Sequence, residues 1–149
     1  MNSNQLLLPE VQKFIEASLE SSLSKLALQK NPFPEIEWKV ILNQIETKAK
    51  AKEKLPTWFA NNAIIYPEKI SLEQTSSEIT AKYKSTLVEG NTLLDASGGF
   101  GVDDYYFSKT MKQVLHCEMN EELSVIVAHN FQSLNVNNCR CLEGNSTKI

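Results

Sequence analysis

The residues best placed for chemistry lie in Thr92-Leu93-Leu94-Asp95-Ala96-Ser97-Gly98-Gly99-Phe100-Gly101-Val102-Asp103-Asp104, an apolar run that ends in an acid and opens into a glycine-rich turn. Without a Cβ at Gly98, Gly99 and Gly101, the backbone can turn tightly and come close to a ligand. A second apolar run, Gln113 to Met119, again carries an acid at its end, Glu118. The separation is about that at which a doubly wound sheet places its ribose-binding carboxylate. Asp95, the turn and the Glu118-Met119 pair therefore read as a nucleoside-type cofactor site. The bland alternative is a plain strand-to-helix turn with an exposed strand end.

Details of the turn select among cofactors. Reading G-x-G-x-x-G from Gly99 puts Asp104 where the last glycine of a nicotinamide site should stand, and no Gly-Lys-Ser/Thr follows Gly101 as a P-loop requires. Asp103 and Asp104 would also lie near a helix N-terminus, where a pyrophosphate otherwise binds. A cofactor without phosphates fits better.

An acid, then Gly-x-Gly, then a second acid at the end of the next strand resembles class I S-adenosylmethionine (SAM)-dependent methyltransferases. Their first motif, D-x-G-x-G-x-G, is matched by Asp95, Gly99 and Gly101, with Ser97 in place of the first glycine and Gly98 added. The resemblance implies that Asp95 lies near the methionine end of SAM, that the backbone from Gly98 through Phe100 to Gly101 passes beneath it, and that Glu118 accepts hydrogen bonds from the ribose hydroxyls. Ser97, Asp103 and Met119 join this cofactor-binding set. SAM carries an ammonium and a sulfonium, so carboxylates help where they would repel a dinucleotide.

A closer likeness covers roughly residues 60 to 146. Ser71 to Lys84, Asp95 to Asp103 and Ala128-His129-Asn130 look like a bacterial group of RNA methyltransferases, similar to trimethylguanosine synthases in the cofactor domain and ending in a THUMP-like module. It implies a SAM-binding core and an RNA base-amine substrate. Asn145 stands where many methyltransferases have an acid facing the adenine amino group, and its amide oxygen can accept the same bond. His129, a lone histidine, reads as a surface helix residue before a catalytic base.

Composition bounds the answer. With 149 residues, 42% hydrophobic and 22% charged, the chain can form one ordinary core or two small ones. Its longest apolar runs are too short to span a bilayer, and Met1 to Glu10 lacks a signal peptide's pattern, so a cytoplasmic protein is expected. A net charge of −3 gives no bulk reason to bind nucleic acid. The run Lys48, Lys50, Lys52, Lys54 reads first as a solvated helix end and second as an RNA-contact patch. Cys117, Cys139 and Cys141 lack Cys-x-x-Cys spacing and read as reduced core or strand residues rather than metal ligands. Trp58 and Phe59 read as core packing before a base-stacking platform.

The elements that must position the turn follow from periodicity. Val11, Phe14, Ile15, Leu19, Leu23 and Leu26 predict a helix from about residue 9 to 30, stopped by Asn31-Pro32-Phe33-Pro34, with Pro34 suited to the first turn of the next helix. Trp38, Ile41, Leu42, Ile45 and Ala49 mark that helix. Ser71 to Gln74 and Thr75 to Glu78 have capping-box spacing, one of them opening a helix whose apolar seam is Ile79, Tyr83 and Leu87. Asp103 or Asp104 starts a short helix, Asn120 caps a longer one that ends at Asn135, and Cys139 to Glu143 is a third strand.

The fold class expected is α/β: a helical N-terminal region, residues 1–70, followed in residues 71–149 by the first half of a Rossmann-like doubly wound methyltransferase sheet. The Asp/Asn-Pro-Pro-aromatic motif that the resemblance places after a fourth strand does not occur, so the chain reads as a fragment of a longer enzyme. It holds no assignable catalytic residue and is expected to be inactive alone. The function expected is the cofactor-binding part of a SAM-dependent RNA methyltransferase. The alternative is a non-enzymatic interaction module with a degenerate Rossmann turn.

Overall fold

The computed structural model describes residues 3–144, and contacts divide the chain into two compact units, Met1–Lys69 and Ile70–Ile149. The first is helical: α1 (Ser3–Leu6), α2 (Pro9–Ser18), α3 (Leu23–Ala27), α4 (Trp38–Lys54) and α5 (Pro56–Phe59). Val11, Ile15, Leu26, Ile41 and Ile45 are buried, as the apolar stripes require. The single helix expected from residue 9 to 30 is broken between Ser18 and Leu23, because Ser22 is extended and its carbonyl accepts the Leu26 N–H that opens α3. Serines offer the backbone alternatives to a continuous helix. Nor does Pro34 begin α4. Asn31 closes the 31–36 loop instead, accepting from the Phe33 N–H at 2.9 Å and donating to the Ile36 carbonyl at 2.7 Å.

Polar groups of α4 hold the extended segment after α5. The Gln44 amide, buried, donates to the Tyr66 carbonyl at 2.7 Å and accepts from the Tyr66 N–H at 2.9 Å, while Asn43 donates to the Pro67 carbonyl. The lysine run is not simply solvated. Lys48 is buried and ion-paired with Glu16, Lys50 lies 3.6 Å from Glu46, and Lys52 lies 3.8 Å from Glu20.

The second unit contains α6 (Lys69–Gln74, its first residue at the boundary), α7 (Glu78–Ser85), β1 (Thr92–Asp95), α8 (Val102–Phe107), β2 (Gln113–Glu118), α9 (Glu121–Ser133) and β3 (Cys139–Glu143). The strands pair in parallel in the order β1-β2-β3. Parallel neighbours need long crossovers, and α8 and α9 supply them. By register and alternation, Leu93, Asp95, Val114, His116, Cys139 and Cys141 share the face covered by α8 and α9. Leu94 and Leu115 lie on the other face, where Leu94 is half exposed.

Two local expectations hold: the Asn120 side chain accepts from the Leu123 N–H at 3.0 Å, and Asn135 is left-handed, with φ 58°, just beyond α9. One pair fails. The cap of α7 is Ser77, which accepts from the Thr80 N–H, and neither Ser71 nor Thr75 fills that role. Ile79, Tyr83 and Leu87 are 85%, 64% and 64% exposed, so the expected seam faces outward. Polar anchors turn the helix: Glu78 accepts from the Tyr106 hydroxyl at 2.7 Å, and Lys84 bonds Asp103 at 2.9 Å. Glu78, Ala81 and Ser85 are consequently the buried positions.

The Lys48–Glu16 pair yields a stability test. Glu16→Ala leaves the buried ammonium with only the Asn62 amide oxygen at 3.4 Å and should cost about 1–3 kcal/mol, below the range for fully buried pairs because Glu16 is 41% exposed. Lys48→Met, which removes the charge and keeps apolar bulk, should cost less than about 1 kcal/mol. Urea denaturation of both variants checks this, and equal losses would contradict it.

Candidate functional site

The C-terminal ends of β1 and β2 bring the two acid-ended runs together through the glycine turn. Asp95 ends β1 and its Oδ1 accepts from the Ser97 N–H at 2.9 Å. The Gly98 N–H donates to the Cys117 carbonyl at 2.8 Å, the Gly99 N–H to Glu118 Oε2 at 3.1 Å, and the Gly101 N–H to the Gly98 carbonyl at 2.9 Å. Glu118 Oε1 accepts from the Asn120 N–H at 2.8 Å, so one carboxylate fastens the turn to the start of α9.

The three glycines answer to different constraints. Gly101 has φ +78°, and a Cβ there would lie 2.7 Å from Phe131 Cζ and 2.9 Å from Val127 Cγ1 on α9. At Gly98 a Cβ would overlap the His116 imidazole at Nδ1 and Cε1. Gly99 has φ +54°, and a Cβ there would make only an ordinary contact with the Ser97 carbonyl at 3.9 Å, so its backbone conformation rather than a neighbour favours glycine.

Beneath the turn lies a pair not singled out from sequence. Asp104 on α8 and His116 on β2 are both fully buried, with Asp104 Oδ2 2.6 Å from His116 Nδ1. Burial pushes the Asp104 carboxyl up to about 6, and the nearby Asp95 carboxylate raises it further while His116 opposes the shift. Burial likewise raises the Cys141 thiol to about 11 and lifts Cys117 and Cys139, each aided by Asp104. These side chains do not form a metal-holding arrangement among the described residues. The sequence did hold a signal: a histidine in the middle of an apolar strand, on the same face as Glu118, opposite a glycine in excess of the usual motif.

Asp95, Ser97, Gly98, Gly99, Gly101 and Glu118 are thus gathered at one strand edge, with Met119, 70% exposed, beside Glu118. Two others point elsewhere. The Phe100 ring is buried in the core, leaving only its backbone on the turn, and Asp103 turns to Lys84 and Ser76 of the α7 region. Asn145 lies outside the described residues. His129 is on α9, half-buried, with its carbonyl accepting from Ser133.

No protein-family model matches this chain, and no curated protein does. Among solved structures it is similar to one described as a "putative methyltransferase from Porphyromonas gingivalis W83", with 26% identity and a TM-score of 0.81. The match covers 99% of this chain and 37% of that one, so the chain spans little more than a third of that protein's length. The chain has a partial Rossmann-like methyltransferase fold. The three-stranded parallel sheet is its described part, preceded by the helical unit. No helix among the described residues is long and apolar enough to cross a membrane.

Asp104 gives a pH prediction. Its folded-state pKa is raised above the ordinary 3.8, so its stability contribution is complete below about pH 4 and is lost as pH rises through about 6. Wild type should therefore lose on the order of 2 kcal/mol relative to Asp104→Asn between pH 4 and pH 7. Urea titrations across that range measure the difference, and a flat difference would contradict the burial argument.

Proposed function

We propose that this chain supplies the cofactor-binding half of a SAM-dependent methyltransferase acting on RNA. The observation that carries it is the bond from the Gly99 N–H to Glu118 Oε2, which joins the glycine turn and the β2 acid into one edge. An adenosine laid across that edge would meet Glu118 at its ribose hydroxyls and Met119 beside its base. Asp95, at the end of β1, would face the methionine ammonium. The fit is also electrostatic: Asp95 and Glu118 favour a cationic ligand and disfavour a pyrophosphate. SAM, when bound, offers an electrophilic methyl on its sulfonium, and this chain's residues hold and orient it.

The RNA part rests on the resemblance of residues 60 to 146. Residues Lys48, Lys50 and Lys52 have acidic partners within the first unit and do not carry it. The acceptor-positioning loop, the THUMP-like module and the catalytic groups belong to the longer protein of this reading.

Calorimetry tests the cofactor assignment: SAM or S-adenosylhomocysteine should bind in preference to NAD or ATP, and a signal for NAD with none for the adenosyl compounds would overturn it. Glu118→Ala should weaken S-adenosylhomocysteine roughly ten- to a hundredfold, the loss of a charge-assisted hydrogen bond worth about 1.5–3 kcal/mol. Unchanged affinity would move the ribose contact elsewhere.

A further inference from the structure

We propose that His116, held by Asp104, is a positioning residue for the cofactor turn: its imidazole sets the height of Gly98 and, through it, the direction of the Gly99 N–H. Gly98 is confined on three sides. Its N–H is bonded to the Cys117 carbonyl, its carbonyl to the Gly101 N–H, and its Cα faces the imidazole so closely that a Cβ would overlap Nδ1 and Cε1. The ring cannot rotate away. Nδ1 is bonded to Asp104 Oδ2 at 2.6 Å, and Phe131 of α9 lies edge-on, with ring centroids 6.0 Å apart. In either tautomer the Nδ1 to Oδ2 hydrogen bond ties the ring to α8.

The chain of contact then runs from Asp104 to His116 to Gly98, and from the adjacent Gly99 N–H to Glu118. His116 also lies two residues before Glu118 on the same strand face, so one side chain supports both halves of the site. The charged and titratable groups around it are Asp95 on β1, Asp104 on α8, Cys117 on β2 itself, and Cys139 and Cys141 on β3. Positioning of this kind matters because a binding group displaced by a fraction of an ångström loses much of its hydrogen bond.

The consequence for cofactor affinity rests on the SAM reading above, while the steric coupling does not. Two sets of variants of the 149-residue chain separate them. Thermal denaturation without ligand compares Gly98→Ala, His116→Ala and the double variant. Gly98→Ala should be strongly destabilised, and the double variant should melt higher than Gly98→Ala because the obstructing ring is gone. Calorimetry with S-adenosylhomocysteine compares His116→Leu, which keeps bulk and loses the Asp104 bond, with His116→Asn, whose amide nitrogen replaces Nδ1. The Leu variant should bind about tenfold or more weakly while folded, and Asn should recover most of the loss. A double variant no more stable than Gly98→Ala, or a folded His116→Leu binding as wild type does, would overturn the inference. Wild type that binds no adenosyl compound while the stability coupling is present would instead overturn the SAM reading.

Discussion

A buried imidazole packed against a glycine Cα, with a buried carboxylate holding the ring, is the constraint on which the second unit depends. Asp104 and His116 have no exposed surface, and a carboxylate moved out of water is unfavourable unless its partner is close and aligned. The 2.6 Å bond offsets part of that cost and joins α8 to β2, while Asp104 Oδ1 and His116 Nε2 are buried with no hydrogen-bond partner among the described residues. Because Gly98 rests on the ring and Gly101 on Phe131 and Val127, the same packing that closes the core sets the path of the turn. Core and site are therefore one construction.

Charge placement follows from that construction. Asp95, Asp104 and Glu118 converge on the C-terminal edge of β1 and β2, where open α/β sheets hold ligands. Asp104 is held inside by His116, and Asp103 is bonded to Lys84, which leaves Asp95 and Glu118 as the acids at the turn. Such an edge would favour a cationic ligand over phosphates. The face that α8 and α9 cover carries His116, so the packing that folds the unit reaches the strand ends where the turn lies.

Strand positions, the αL stop at Asn135 and the cap at Asn120 were legible in the sequence because each depends on local backbone chemistry. The position of Glu118 at the end of β2 was legible as well, since spacing along a βαβ unit is nearly fixed. What escaped was decided by tertiary polar contacts. Ile79, Tyr83 and Leu87 form a helical stripe, yet Glu78 with Tyr106 and Lys84 with Asp103 rotate α7 so that the stripe faces out. Asp104 read as a first-turn acid attracted to the helix dipole, and nothing local distinguishes that role from a buried partner of a histidine on the next strand. The break in the first helix came from Ser22, whose extended backbone overrides an unbroken apolar period.

The most direct test of the account is a map of backbone amide shifts in isotopically labelled 1–149 as S-adenosylhomocysteine is added. The account predicts the largest changes at Ser97, Gly99, Gly101, Glu118 and Met119, with α2 and α4 unmoved. Saturable shifts centred on the first unit, with the glycine turn silent, would contradict it.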